Sequence, residues 1–157
     1  VATGTATCGP VHIVNSTEIN AKSLINTSAG TTIGPITMSN WYRKGCSRAV
    51  NATTGAADVI VGVGKSETPL NAPFYANGAN LTVRGAGCLI DTSTYPGIDR
   101  AGSETVKCQN FDMPVDTAKL TPAAGDKCWN SNVASPPLVV GPCIYSGAAW
   151  KSLLNIA

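Results

Sequence analysis

Apolar and polar positions change places every few residues along this chain, and Gly or Pro interrupts each short run. Val11-His12-Ile13-Val14 is brief and β-branched, as half-buried strands are. Thr31 to Met38 alternates loosely and is cut at Gly34-Pro35, while Asp58-Val59-Ile60-Val61-Gly62-Val63 reads as a buried core strand. Asn80 to Arg84 alternates apolar with polar, which suits a strand with one wet face. Cys88 to Ile90, Glu104 to Cys108 and Leu138 through Tyr145 complete seven or eight short strands with turn signals between them. Helical spacing is rare. Thr17 to Asn26, with Thr17 as N-cap, predicts one helix, and Ala148 to Ile156 predicts a terminal helix or a final strand. No repeat at a solenoid period stands out, and no linker divides the chain. The expectation is one all-β domain over residues 1–157, a β-sandwich or Greek-key barrel with little helix.

Composition sharpens this picture. Ala, Thr, Gly, Ser and Asn make up 77 of the 157 residues, and only 13% are charged. Average soluble domains carry about 25% charge, so this surface is covered mainly by small neutral polar groups. Eleven cations against nine anions leave a net charge of +2 with no basic cluster. That excludes the dense cationic face a nucleic-acid binder needs, and it excludes charge-driven disorder. The longest apolar stretch, residues 56–63, is too short to span a membrane.

Six cysteines, Cys8, Cys46, Cys88, Cys108, Cys128 and Cys143, are even in number and never spaced as C-x-x-C. This predicts three disulfides and an oxidising, secreted or cell-surface compartment. Fifteen pairings are open; the near-neighbour set Cys8–Cys46, Cys88–Cys108 and Cys128–Cys143 is the simplest. A start at Val1 fits a processed, secreted chain, and it fits an artificially trimmed one as well. Sequons stand at Asn15, Asn26, Asn51 and Asn80.

Catalytic chemistry is hard to assemble from this chain. His12 is the sole imidazole, and no nucleophile elbow accompanies it. Gly64-Lys65-Ser66 has Val59 where a phosphate loop needs its first glycine. Two loop groups of carboxylates, Asp91 with Asp99 and Glu104, and Asp112 with Asp116, lack a calcium-loop pattern. No catalytic residue, metal or cofactor is therefore predicted, and a glycoside hydrolase built on two carboxylates is the weakest reading. Aromatic residues are sparse. Trp41 and Tyr42 beside Arg43, together with Tyr95, are candidate contacts for a glycan or host receptor. Trp129 is expected to pack on a disulfide of Cys128, and Trp150 to join a C-terminal packing stripe.

Over its whole length the composition resembles that of bacterial pilins and other extracellular fibre subunits, rich in Ala, Thr, Gly, Ser, Asn and Val. The segment from Cys128 to Cys143 is similar in size to the C-terminal disulfide loop of type IV pilins. Six cysteines depart from the single disulfide usual in chaperone–usher pilins. The depleted charge and the strand edges open to augmentation point to a non-enzymatic structural subunit that self-associates into a homopolymer such as a fibre, pilus or surface layer. The neutral segment Val1, Ala2, Thr3, Thr5 and Thr7 is its candidate subunit-contact arm. The alternative is a secreted carbohydrate- or receptor-binding module.

Overall fold

The computed structural model describes residues 7–27, 32–53 and 55–154. Its strands are parallel and stack into a β-solenoid of about four turns, neither a sandwich nor a Greek-key barrel. The first rung holds β1 (Thr7–Cys8), β2 (Val11–Ile19) and β3 (Ser23–Thr27). The second holds β4 (Thr32–Ile33), β5 (Ile36–Lys44) and β6 (Arg48–Ala52). The third holds β7 (Ala56–Val61), β8 (Gly64–Glu67) and β9 (Phe74–Ala76), and the fourth β10 (Asn80–Gly85), β11 (Cys88–Ile90) and β12 (Ile98–Arg100). β13 (Val106–Val115) begins a fifth rung. A 3-10 turn (Thr117–Lys119) and the strands β14 (Lys127–Asn130), β15 (Gly141–Tyr145) and β16 (Trp150–Ser152) close that end. β14, β15 and β16 are antiparallel to one another, so the parallel stack stops there.

A repeat does exist. Val11 pairs with Ile36, Ile36 with Val59, Val59 with Val83 and Val83 with Cys108, in steps of 25, 23, 24 and 25 residues. Each rung carries the same inward pattern. Ile36 and Met38 point inside from one face; the chain turns at Asn40, whose φ is 50°, and Trp41 and Arg43 point inside from the next face. Val59, Val61, Gly64 and Ser66 repeat this one rung later. The third face stacks Ile25, Val50, Phe74, Ile98 and Val115 in register. Each buried side chain therefore rests on its counterparts above and below, and the core is a set of columns. Close approach decides one position in them: a Cβ on Gly64 would lie 2.2 Å from the Trp41 ring above it.

The segment read as a helix from Thr17 to Asn26 is the end of β2, a corner at Asn20 and β3. Residues 148–154 contain β16 and no helix. Stacking overrides local helical spacing here, because each of these segments finds its backbone partners on a neighbouring strand. Among the described residues no helix is long and apolar enough to cross a membrane.

All six cysteines are free thiols, so the three-disulfide staple is not formed. Five are buried inside the coil, and Cys8 is half-buried. Stacked columns supply the cross-links that disulfides were expected to supply. Cys128 and Cys143 do lie directly opposite each other on β14 and β15, with sulfurs 3.4 Å apart. Trp129 points outward instead of packing on a disulfide, whereas Trp150 is half-buried and meets Tyr145 edge to face. Of the sequon asparagines, Asn15, Asn26 and Asn80 are exposed and Asn51 is buried.

Burial pushes the Cys88 thiol from the ordinary value near 9 up to about 11, and raises Cys108 by the same cause. A thiol reagent near pH 8 is expected to modify Cys8 in the native protein and to reach Cys88 and Cys108 only after unfolding, as mass spectrometry of the labelled chain will report. The raised values also set a sign. The stabilisation from keeping these thiols neutral is complete below about pH 9 and is lost as pH rises towards 11, so the urea midpoint is expected to fall over that interval.

Candidate functional site

Two places in the fold are incomplete, and they lie towards opposite ends of the solenoid.

The first is the open edge of rung one. β1 pairs only with β4, β2 only with β5 and β3 only with β6. These strands of two, nine and five residues offer their other edges to nothing among the described residues. Val11 donates its N–H to Pro35 and Asn20 to Lys44, both towards rung two. By strand alternation the backbone groups of His12, Val14, Thr17 and Ile19 face the open side. Val14 and Ile19 are 56% and 63% exposed. The inward residues Val11, Ile13 and Ile25 are only half-buried, while Ile36, Met38 and Val50 directly beneath them are fully buried.

A charged pair sits under this edge. Arg43, 1% exposed, points into the coil and its Nε donates to Glu18 Oε2 at 2.9 Å. Arg43 Nη1 and Nη2, Glu18 Oε1 and Ser16 Oγ are buried without a hydrogen-bond partner. The column runs Glu18, Arg43, Ser66 and leads away from the open end.

The second place is a groove of about 350 Å³ where the last full rung meets the cap. Its origin is a deletion. Arg84 pairs with Gln109 after a step of 25 residues, but Ile98 pairs with Val115 after a step of only 17. The fifth rung is thus short by eight residues at one corner: Gly97 still donates to the Pro114 carbonyl of β13, but Thr92 to Tyr95 pair with no strand among the described residues. That uncovered loop contributes Thr92, Thr94 and Tyr95; β12 contributes Asp99; the 3-10 turn and its cap contribute Lys119 and Asp116; Ser131 follows β14. Tyr95 is 37% exposed. Asp99 Oδ1 accepts from the Arg100 N–H and faces Lys119 Nζ at 3.4 Å, while its Oδ2 has no partner among the described residues.

Asp116 is held rigidly. It caps the 3-10 turn by accepting from the Ala118 N–H at 3.0 Å, and it also accepts from Ser135 Oγ and from Asn132 Nδ2. Burial pushes its carboxyl up, but the hydrogen bonds from Ser135, Asn132 and Ala118 outweigh burial and hold it below the usual range. A general acid needs the opposite shift, so this carboxylate is unsuited to protonating a leaving group near neutral pH.

The sequence-predicted contacts do not come together. Trp41 is buried and donates Nε1 to the Gly62 carbonyl; Arg43 is interior; Tyr42 is half-buried and donates to Glu67 Oε2 at 2.8 Å. Of the four, Tyr95 alone lines the groove at the cap. The inward parity of β5 decides this: residues 41 and 43 fall on the core side and residue 42 on the outside. Residues 1–6 of the candidate arm lie outside the described residues, and Thr7 lies in β1. The loop carboxylates are dispersed onto backbone donors. Asp91 accepts from the Thr68 and Ser93 N–H groups, Glu104 from Gly78 and Gly102, and Asp112 from Gly87. Among the described residues no three metal-ligating side chains gather. Sequence reasoning missed Asp99 and Lys119 as partners; no local pattern marks them, because the missing corner that unites them is defined only by the stacking register.

No protein family, no curated protein and no solved structure matches this chain.

Proposed function

We propose that the chain is a non-enzymatic structural subunit of the extracellular space that self-associates through the open edge of its first rung. The observation that carries this reading is the set of β1, β2 and β3 edges, paired on one side only among the described residues and backed by half-buried apolar residues. An exposed sheet edge recruits another strand unless charge, proline or a covering element blocks it. Between Val11 and Ile19 the only carboxylate or ammonium group is Glu18, and it points inward.

A second copy is the occupant that suits this edge. The antiparallel cap terminates the stack at the other end, so two copies meet open edge to open edge, related by a two-fold axis. Antiparallel pairing of the two β2 strands about Thr17 sets Ser16 opposite the Glu18 of the other copy. Both side chains face inward, and each carries a buried oxygen without a partner. The hydroxyl of one copy then donates to the carboxylate of the other, twice over. A two-fold pair is closed, so growth into a fibre or surface layer requires a second contact between such pairs.

The extracellular placement is supported by the low charge, which suits a surface covered by neighbours, and by the opposed thiols of Cys128 and Cys143. An oxidant has only to bring those sulfurs from 3.4 Å to the roughly 2.05 Å of a disulfide.

Sedimentation velocity over a concentration series tests the reading. The wild-type chain is expected to dimerise, and Val14→Lys combined with Ile19→Lys is expected to remain monomeric with unchanged circular dichroism. A wild-type chain that stays monomeric up to about 1 mM defeats the proposal.

A further inference from the structure

The groove left by the shortened fifth rung has a lining that selects among ligand classes. Four hydroxyls, two carboxylates, one ammonium, one aromatic ring and one proline border it. Polar groups share the wall about evenly with apolar ones, so a wholly apolar ligand would leave buried polar groups unpaired. A phosphate or uronate ligand meets one cation against two anions, one of which, Asp116, is held ionised by its hydrogen bonds. A neutral ligand dense in hydroxyls meets complementary groups on every side. Asp99 Oδ2 is free to accept from a hydroxyl, and Lys119 Nζ, only 3.4 Å from the other oxygen of the same carboxylate, is placed to donate to the next one. The half-exposed ring of Tyr95 offers a flat apolar face beside them. A pyranose presents this same combination: vicinal hydroxyls at its rim and a patch of C–H groups on one face. The volume of about 350 Å³ lies near the lower end of the range for small-molecule sites, which suits one or two sugar rings.

The site is also built to hold its shape. Asp99 sits on β12 within the stacked third face, and Asp116 is fixed through Ser135 and Asn132 to the loop before β15. Little ordering is then required when a ligand arrives.

We propose that this groove is a binding subsite for a neutral mono- or disaccharide unit, with Tyr95 stacking on the ring and Asp99 and Lys119 bonding adjacent hydroxyls. The function is distinct from self-association, since the groove and the open edge lie on different rungs.

The folded chain is titrated with cellobiose, maltose, lactose and N,N′-diacetylchitobiose, with galacturonate and inorganic phosphate as anionic controls. Binding is read by saturation-transfer NMR and calorimetry. At least one neutral disaccharide is expected to bind with a Kd of roughly 1 mM or tighter. Tyr95→Ala is expected to weaken that binding about tenfold or more and Asp99→Asn by a similar factor, while Tyr95→Phe keeps it within about threefold because the ring face remains. Tyr95 is exposed and Tyr95→Phe preserves its packing, so a loss confined to the alanine variant reports on stacking. The proposal is overturned if none of the four disaccharides binds at about 20 mM, if an anionic control binds more tightly than all of them, or if affinity is unchanged in Tyr95→Ala.

Discussion

Gly85→Ala is expected to destabilise the protein by about 3 kcal/mol or more, among the largest effects open to a single added methyl group. Gly85 lies in β10 directly against Val61 of β7, with φ at 111°, a backbone conformation L side chains rarely adopt. A Cβ built there lies 2.1 Å from the Val61 carbonyl oxygen and 3.0 Å from its carbonyl carbon and nitrogen. These are backbone atoms held in the ladder between rungs three and four, so no rotamer change relieves the clash. Either the two rungs separate locally or the chain leaves its φ. Urea unfolding of wild type and variant measures the loss. Gly125→Ala is the control: it has φ of 89° but nothing within 4 Å of a new Cβ, so it reports conformational strain alone, about 1 kcal/mol. Equal effects at the two positions refute the close approach of β10 to β7.

Glu18→Ala is expected to cost about 3–5 kcal/mol, because it strands the Arg43 guanidinium inside the coil. Arg43 is 1% exposed, and Glu18 is its only ion-pair partner among the described residues. Its Nη1 and Nη2 already lack hydrogen bonds, so losing the Nε bond leaves a buried charge with no compensation. Changing both residues behaves differently. Glu18→Leu with Arg43→Met removes the charge together with its counter-ion and extends the apolar column above Ser66, and this double variant is expected to approach wild-type stability or exceed it. Chemical denaturation at concentrations that keep every variant monomeric completes the double-mutant cycle. Additive losses would mean that Glu18 and Arg43 do not depend on each other. The pair also bears on assembly, since Glu18 Oε1 is the acceptor proposed to meet Ser16 of a second copy. Disrupting the pair is therefore expected to weaken the dimer as well as the fold.

Much of the strand content was legible because alternation is local. Val11–Val14, Asn80–Arg84 and Cys88–Ile90 fall inside β2, β10 and β11, and Gly34-Pro35 separates β4 from β5. The repeat was not legible as residue identity, because the columns conserve direction rather than chemistry. One column runs Ser16, Trp41, Gly64, Cys88, and the corner after the first face is Asn15, Asn40, then Val63, then Gly87. Its trace is the spacing of inward positions, two apart, then three, then two: 36, 38, 41, 43, and again 59, 61, 64, 66. A search for that spacing at intervals of 23 to 25 residues would have exposed the solenoid. Arg43 and Gly64 hide it, since a buried arginine and a bare glycine do not read as core. The even count of cysteines misled for a related reason. A stacked column buries a thiol as readily as a valine, so evenness carried no information about pairing.

Alternating side-chain direction and frequent breakers are local properties, so strand-rich structure, scarce helix and a charge-poor surface follow from residue order alone. Pairing is not local. Parallel strands about 24 residues apart and antiparallel strands joined by short turns have similar local patterns, and only the register of backbone hydrogen bonds separates a solenoid from a sandwich. That register placed Trp41 and Arg43 inside and Tyr95 outside, left β1 to β3 without a neighbour on one edge among the described residues, and opened a groove where eight residues are missing from a corner. Both candidate sites arise where the stacking of rungs is broken, and a break in a stack exists only once the stack has formed.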